Sequence, residues 1–461
     1  MPRNAMHMHL PKGLKRRCTR AIVVSIVVLV VATVLSCSKK REAAHPNIIM
    51  IVVDTLRADH LSSYGYARKT DPNIAEFAKQ AVVFQRAVAP APWTMPAYTS
   101  MLEGKFAFNH NMNTPTEKIP QGTLLTSYLR DAGYHTASIQ TNDMAYFLSS
   151  GDYFDDNFYY FQDQGDVYLD RQAGDSALEW LSNSTKTTGN FFFLVGMMSP
   201  HWDYKTRNGY LSEFIGDPVY NAFGPVAVDI MFGRTTPQGI WKYDDLSPDL
   251  QAIVGMPQNS EGYYDEARLY IAGYDSEIKY SDHQIGRILQ KLKDIGLYDD
   301  AIIIITGDHG ENMNDHRHYF NHSDNLYQSL LHVPLLIKFP RQKVQATVAE
   351  YVRTIDILPT VFDYATIKYS GTDGKSLMPF IRGESVDFEE RPVISYRIDS
   401  SGYKAVSLIK GDYKLIRNTG SELTRLYNLH NDPNETTDVS TLEPDRVAQL
   451  REYLDKYFQQ W

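Results

Sequence analysis

Cysteine is nearly absent: 461 residues hold two, Cys18 and Cys37, both near the N-terminus. From residue 38 onward the chain can build no disulfide framework, no thiolate-held zinc and no cysteine nucleophile. Positive charge is also short, with 46 Lys and Arg against 55 Asp and Glu, a net charge of −9. That balance speaks against the basic face a nucleic-acid partner requires. Internal repeats and low-complexity tracts are lacking too, which argues against solenoids and flexible arrays. The long apolar run Ala21–Leu35 is shorter than the ~20 residues of a spanning helix.

That run belongs to a leader. Lys12, Lys15, Arg16, Arg17 and Arg20 precede it without an acid, and Ser36-Cys37 follows it. The layout is that of a secretory signal, expected over residues 1–36. Val34-Leu35-Ser36-Cys37 resembles a bacterial lipobox. The resemblance implies cleavage before Cys37, lipidation of its thiol, and a polar tether over 37–45. The body is then expected at the bacterial cell envelope, on the periplasmic or extracellular face, held to the membrane by the lipid. An uncleaved signal anchor is the alternative, and it exports the body as well.

The body carries apolar runs at Ile48–Val53, Phe191–Val195 and Ile302–Ile305. Each reads as a buried strand. Helical periodicity falls near 72–80, 122–132, 170–183 and 264–295. The alternation predicts an α/β fold on a mainly parallel sheet. Each strand runs into polar residues: Asp54, then Ser199-Pro200-His201, then Asp308-His309-Gly310-Glu311. Ligands bind at the carboxyl ends of strands in such sheets, so three such ends predict a site. Any one of these residues alone reads better as a cap or a solvated side chain. Residues 202–262, rich in Tyr, Asp, Gly and Pro, read as a substrate-shaping insert. From 366 onward, short alternating runs and a helix near 443–459 predict a small α+β subdomain after a catalytic domain over 46–365.

Pro90 and Pro92 hold the approach to Thr94 extended, and Pro96 suits the first turn of a helix that begins there. A hydroxyl at that position lies at the positive end of a helix dipole, suited to an anion or a developing alkoxide. The bland alternative is an ordinary helix cap.

The flanking segments resemble the sulfatase family of the alkaline-phosphatase superfamily. Asn47–Asp59 is similar to its opening strand with the first metal ligand, and Thr94-x-Pro-x-x-x-Ser100-Met-Leu-x-Gly104 to its nucleophile motif. Tyr274–Asp282, Gly307–Glu311, Val333–Ile337, Thr354–Thr360 and Leu426–Glu435 continue the likeness in order to about residue 440. The resemblance implies an alkaline-phosphatase-like three-layer sandwich and a metal-dependent hydrolase of an anionic ester, with a glycan or a lipid as the candidate carrier of that ester. It implies a metal held by Asp54, Thr94, Asp308 and His309, with His201 and His322 serving the leaving group.

There are departures. The formylglycine enzymes of that family build the cofactor in Cys/Ser-x-Pro-x-Arg, whereas this chain has Thr94 and, in place of the arginine, Tyr98. Asp54-Thr55 and Asp308-His309 also differ from the usual Asp-Asp and Asp-Asn pairs. The resemblance then shifts to threonine-nucleophile relatives acting on phosphate diesters or phosphonates. Two carboxylates, an imidazole and a hydroxyl favour Zn or Mn, with Ca or Mg possible. His316 and His318 compete with His322 for its role, and Arg57 and Lys105 are candidates to meet the anion or simply surface charges. The rivals are a sulfatase, a phosphotransferase to an envelope lipid or glycan, and a binding protein without turnover.

Overall fold

The structure, a computed structural model, describes residues 45–458 apart from 111, 113–121, 123, 142–147, 149–152, 160–168, 185–188, 203, 205–209, 218–266, 385, 387–390, 400 and 419–422. The leader and most of the 202–262 stretch therefore lie outside the described residues. Among the described residues, no helix is long and apolar enough to cross a membrane. Residues Pro46–Trp461 form one compact unit.

Eight strands make the main sheet: β1 (Ile48–Val53), β2 (Val82–Val88), β3 (His135–Gln140), β4 (Asp156–Tyr159), β5 (Phe191–Met197), β6 (Ile302–Gly307), β9 (His332–Lys338) and β10 (Ala346–Arg353). Their spatial order is β10-β2-β9-β6-β1-β5-β3-β4. All neighbours run parallel except β9, which is antiparallel to both β2 and β6. The intervening β7 (Met313–Asp315) and β8 (His318–Tyr319) form a small ribbon of their own.

The continuous apolar runs are explained by two covered faces. Ile48, Met50 and Val52 point into one core with Met95, Met101 and Leu102 of α2 (Thr94–Glu103), while Ile49, Ile51 and Val53 point into the other. The first core also takes Leu129 of α3 (Thr126–Asp131) and Leu358 and Val361 of α6 (Ile357–Ala365). The second takes Ile74 and Phe77 of α1 (Pro72–Ala78), Ala173 and Ala177 of α4 (Leu169–Ser184), and Ile278 and Ile285 of α5 (Ala267–Asp294). Helices on both sides of the sheet give the three-layer sandwich expected from the alternation.

A second, antiparallel sheet holds β11 (Val393–Ile398), β12 (Lys404–Lys410), β13 (Tyr413–Asn418) and β14 (Thr424–Asn428), covered by α7 (Pro444–Asp455). This sheet is joined tightly to the first. The Ser395 hydroxyl donates to Ala89 O at 2.6 Å, and the Tyr396 N–H donates to Pro90 O at 2.9 Å.

Register does the positioning. Val53 is level with Met197 on one side and Gly307 on the other. Asp54 and Asp308 therefore leave the sheet together, next to the turn Met198–His201. The ladder extends one residue further on that side, Asp54 N–H donating to Met197 O at 2.9 Å.

Candidate functional site

At the carboxyl end of β1, Thr55 takes a left-handed conformation with φ of 54°. Its N–H donates to Asp308 Oδ1 at 3.1 Å, and its carbonyl accepts from the Tyr274 hydroxyl at 2.6 Å. Asp308 Oδ1 also accepts the His309 N–H at 2.7 Å, while its Oδ2, fully buried, has no hydrogen-bond partner among the described residues. The Asp308 carboxylate is thus aimed with one oxygen held and the other presented.

His309 is fixed in the same way. Its Nδ1 lies 2.8 Å from Gly310 O, a pure acceptor, so Nδ1 carries the proton and Nε2 carries the lone pair. That lone pair faces Thr94 Oγ1 at 3.2 Å, Asp54 Oδ1 at 3.4 Å and Asp308 Oδ2 at 3.6 Å. Burial, followed by the charges of His322 and His201, pushes the His309 imidazole well below its ordinary value, so it stays neutral. Two carboxylates and an imidazole lone pair converge, which is unfavourable unless a proton or a cation joins them. The ligand atoms of Asp54, Asp308 and His309 all lie within 4.8 Å of one another, all buried. Burial, with the neighbouring charges of Asp308 and Glu311, drives the Asp54 carboxyl well up; burial raises Asp308 to about 7. Both shifts express the same demand for positive charge. The donor set fits a divalent metal, with Thr94 as its hydroxyl neighbour.

Thr94 opens α2 as its first helical residue, with Trp93 in the cap position. It is a buried residue of the first turn rather than the cap. Pro96 has no N–H and the Ala97 N–H donates to Trp93 O at 3.2 Å, so the N–H groups of Thr94 and Met95 are the first-turn donors left without an intrahelical acceptor.

His322 and His201 complete one side. Their ring centroids are 5.0 Å apart, and His322 lies 4.8 Å from His309. His322 Nδ1 is 3.1 Å from Glu311 Oε1, and Glu311 is wholly buried. Burial opposes the charge on His322, but the Glu311 carboxylate and its hydrogen bond outweigh it and push the imidazole up. His201 Nδ1 lies 2.8 Å from Trp202 O, a pure acceptor, so Nδ1 carries the proton. Asp170 sets this loop: it accepts Met198 N–H at 2.8 Å, Ser199 N–H at 3.1 Å and the Ser281 hydroxyl at 2.8 Å.

Other expected residues lie elsewhere. Arg57 is neither a surface charge nor an anion receptor. It is buried, with its guanidinium taken up by Asp59, Asp315 and Glu311 O. It braces the two strand-end loops instead. Lys105 pairs with Glu103 at 3.0 Å. His316 stacks on Tyr327 at 3.6 Å and His318 binds Asp324 at 2.7 Å, so neither joins the Asp54–His309 cluster.

Tyr98, one turn beyond Thr94, is buried beneath the cluster. Its hydroxyl has no partner among the described residues, and burial followed by Asp308 and Asp54 pushes it well up. A Cβ added to Gly196 would lie 2.8 Å from that hydroxyl and 2.0 Å from Gln140 Oε1. A side chain at 196 would therefore force Gln140 and Tyr98 to shift.

Glu311, Asp170 and Tyr98 were not assigned from the sequence. Glu311 had a signal, its place directly after Asp308-His309-Gly310. Asp170 had none, because its partners lie 28 and 111 residues away.

Residues 46–367 match the family described as Sulfatase, and residues 315–460 match N-sulphoglucosamine sulphohydrolase, C-terminal. The chain is 24% identical over 445 residues to Arylsulfatase K of Danio rerio, covering 89% of this chain and 83% of that protein. It is 24% identical to an N-acetylglucosamine-6-O-sulfatase of Bacteroides thetaiotaomicron, over 89% and 86%. The phosphonate monoester hydrolase of Agrobacterium radiobacter superposes with a TM-score of 0.69 at 20% identity, covering 90% of this chain and 95% of that one.

Proposed function

Because the chain belongs to the sulfatase family of hydrolases, we propose that it is a metal-dependent esterase in which Thr94 attacks a phosphonate or phosphate diester. The observation that carries this reading is the convergence of Thr94 Oγ1 on His309 Nε2, at 3.2 Å, inside the Asp54–Asp308–His309 cluster. A divalent ion bound there would stabilise the Thr94 alkoxide and withdraw charge from the ester.

The residues then divide the work. Thr94 Oγ forms the bond to phosphorus as the bond to the leaving oxygen breaks, giving a phosphoryl-Thr94 ester. With the ion bound, Thr94 would release its hydroxyl proton to solvent before the attack. His322, kept protonated by Glu311, returns a proton to the leaving oxygen. The N–H groups of Thr94 and Met95, at the start of α2, are the backbone donors for the non-bridging oxygens. Water then cleaves the phosphoryl-Thr94 bond, with His201 as the candidate to take its proton. Threonine is not a source of formylglycine, which supports the phosphorus reading.

A second reading is hydrolysis of a sulfate ester on a glycan. It draws on the relatives, including the N-acetylglucosamine-6-O-sulfatase and a Delta 4,5-hexuronate-2-O-sulfatase of the same bacterium. Attachment to the cell envelope through Cys37 belongs to both readings. Zn and Mn are favoured over Ca and Mg because an imidazole stands in the donor set.

Residues 38–461, loaded with Zn or Mn, should turn over an aryl phosphonate or aryl phosphodiester faster than an aryl sulfate. Thr94→Ala should lower kcat by about 10³-fold or more. Faster turnover of the sulfate would replace the first reading with the second. Chelation should abolish turnover and lower Tm, and restoring the ion should recover both, as measured by thermal melting.

A further inference from the structure

One arginine near the site lacks the partners that Arg57 has. Arg397 lies on β11, two residues past Ser395, so both side chains leave the same face of the strand. Ser395 already touches the approach to the nucleophile, through its 2.6 Å bond to Ala89 O. The Arg397 side chain is 10% exposed. Its Nε has no hydrogen-bond partner among the described residues. Its one ion contact there is a long one, Nη2 to Asp399 Oδ2 at 3.3 Å. Asp399 is mainly engaged in its own turn, where Oδ1 accepts the Ser401 N–H at 2.9 Å and the Tyr403 N–H at 3.1 Å. The guanidinium lies over the Tyr403 ring at 5.3 Å, which fixes its plane.

On the side of the loop that carries His322, Arg397 lies close enough to act on Asp324. Burial raises the Asp324 carboxyl, but His318 beside it, helped by Asn321 and the Arg397 charge, holds it below its usual range. Asp324 closes the loop that carries His322, and the Ser323 N–H ties that loop to Pro92 O at 2.9 Å. Arg397 thus flanks both segments that frame Thr94. A nine-tenths buried guanidinium with an unused donor carries a desolvation cost that an incoming acceptor would relieve. Its planar fork matches a carboxylate or a sulfate.

We propose that Arg397 receives a second oxyanion, a carboxylate or a sulfate, carried by the same substrate molecule whose ester Thr94 attacks. The inference rests on the reading that the substrate is an anionic ester. It makes the antiparallel sheet a selector of doubly anionic substrates.

The test is calorimetric titration of the metal-loaded protein with two probes, an O-sulfated disaccharide bearing a hexuronate carboxylate and the methyl ester of that carboxylate. The wild type should bind the free carboxylate about tenfold more tightly, the scale of one charge-assisted pair. Arg397→Gln should bring the ratio to about one, and Arg397→Lys should leave an intermediate ratio. Equal affinity of the wild type for both probes, no binding of either, or an undiminished ratio in Arg397→Gln overturns the proposal. If the Gln variant does not fold, the wild-type comparison and the Lys variant still decide. Aryl ester turnover by the wild type, measured alongside, tests the chemistry of Thr94 separately from this recognition.

Discussion

The proton on His309 Nδ1 decides what the site can hold. Bonded to Gly310 O at 2.8 Å, that nitrogen is committed, and Nε2 is left as a lone pair among carboxylate oxygens. The same logic applies one step out. Glu311 orients His322 through a single 3.1 Å bond to Nδ1 and supplies the charge that keeps the ring protonated. Glu311→Gln retains the shape but removes the charge, so kcat should fall about 10- to 100-fold with little change in Tm. Steady-state kinetics beside a melting curve separates that outcome from simple unfolding. Asp54, Thr94, Asp308 and His309 come together in the structure, and their proximity could be expected from the sequence because each lies in a segment that resembles a family motif. Arg57 was misread because its burial depends on Asp315, 258 residues away, which no local pattern reveals. Tyr98 was legible only as a departure. Its position under the cluster needed the helix to be placed.

At the scale of elements, the strands and long helices followed from hydrophobic pattern, since a strand covered on both faces is apolar throughout. The antiparallel β9 was not legible, because strand direction within a sheet leaves no trace in composition. It matters for the site: the Gly310 N–H donates to Leu330 O at 2.8 Å, in the turn that leads into β9. That packing is close. A Cβ on Gly310 would lie 2.0 Å from Ser329 O, a backbone atom that cannot swing away. Gly310→Ala should therefore shift the Asp308–His309 turn. It should destabilise by about 1–3 kcal/mol and weaken metal affinity, read by chemical denaturation and by metal titration.

Across the whole molecule, stability should depend on pH through a group far from the chemistry. Lys338 is fully buried, its Nζ donating to Tyr298 O at 2.8 Å and lying 4.8 Å from the Tyr298 ring centroid. Burial lowers this ammonium from 10.5 to about 8. Between those values the unfolded chain binds the proton and the folded chain does not, so stability should rise with pH across the window. Below pH 8 both states are charged and the burial penalty is felt in full. Lys338→Met should flatten that slope in denaturation curves recorded from pH 7.5 to 10.5. The three layers of the main sheet were predictable from alternating elements. The tight joint to the second sheet was not, because Ser395 and Ala89 meet across 306 residues.

That joint also sets an order of events during synthesis. Asp54 and Thr94 are made early, Asp308 more than two hundred residues later, and the strand that braces the approach to Thr94 later still. A ribosome that has made Thr94 has not yet made the second carboxylate of the cluster, nor the Ser395 and Tyr396 groups that secure Ala89 and Pro90. A growing chain thus carries Thr94, the nucleophile proposed above, without the groups that would let it act. Competence arrives late and together, once residue 396 has joined the fold.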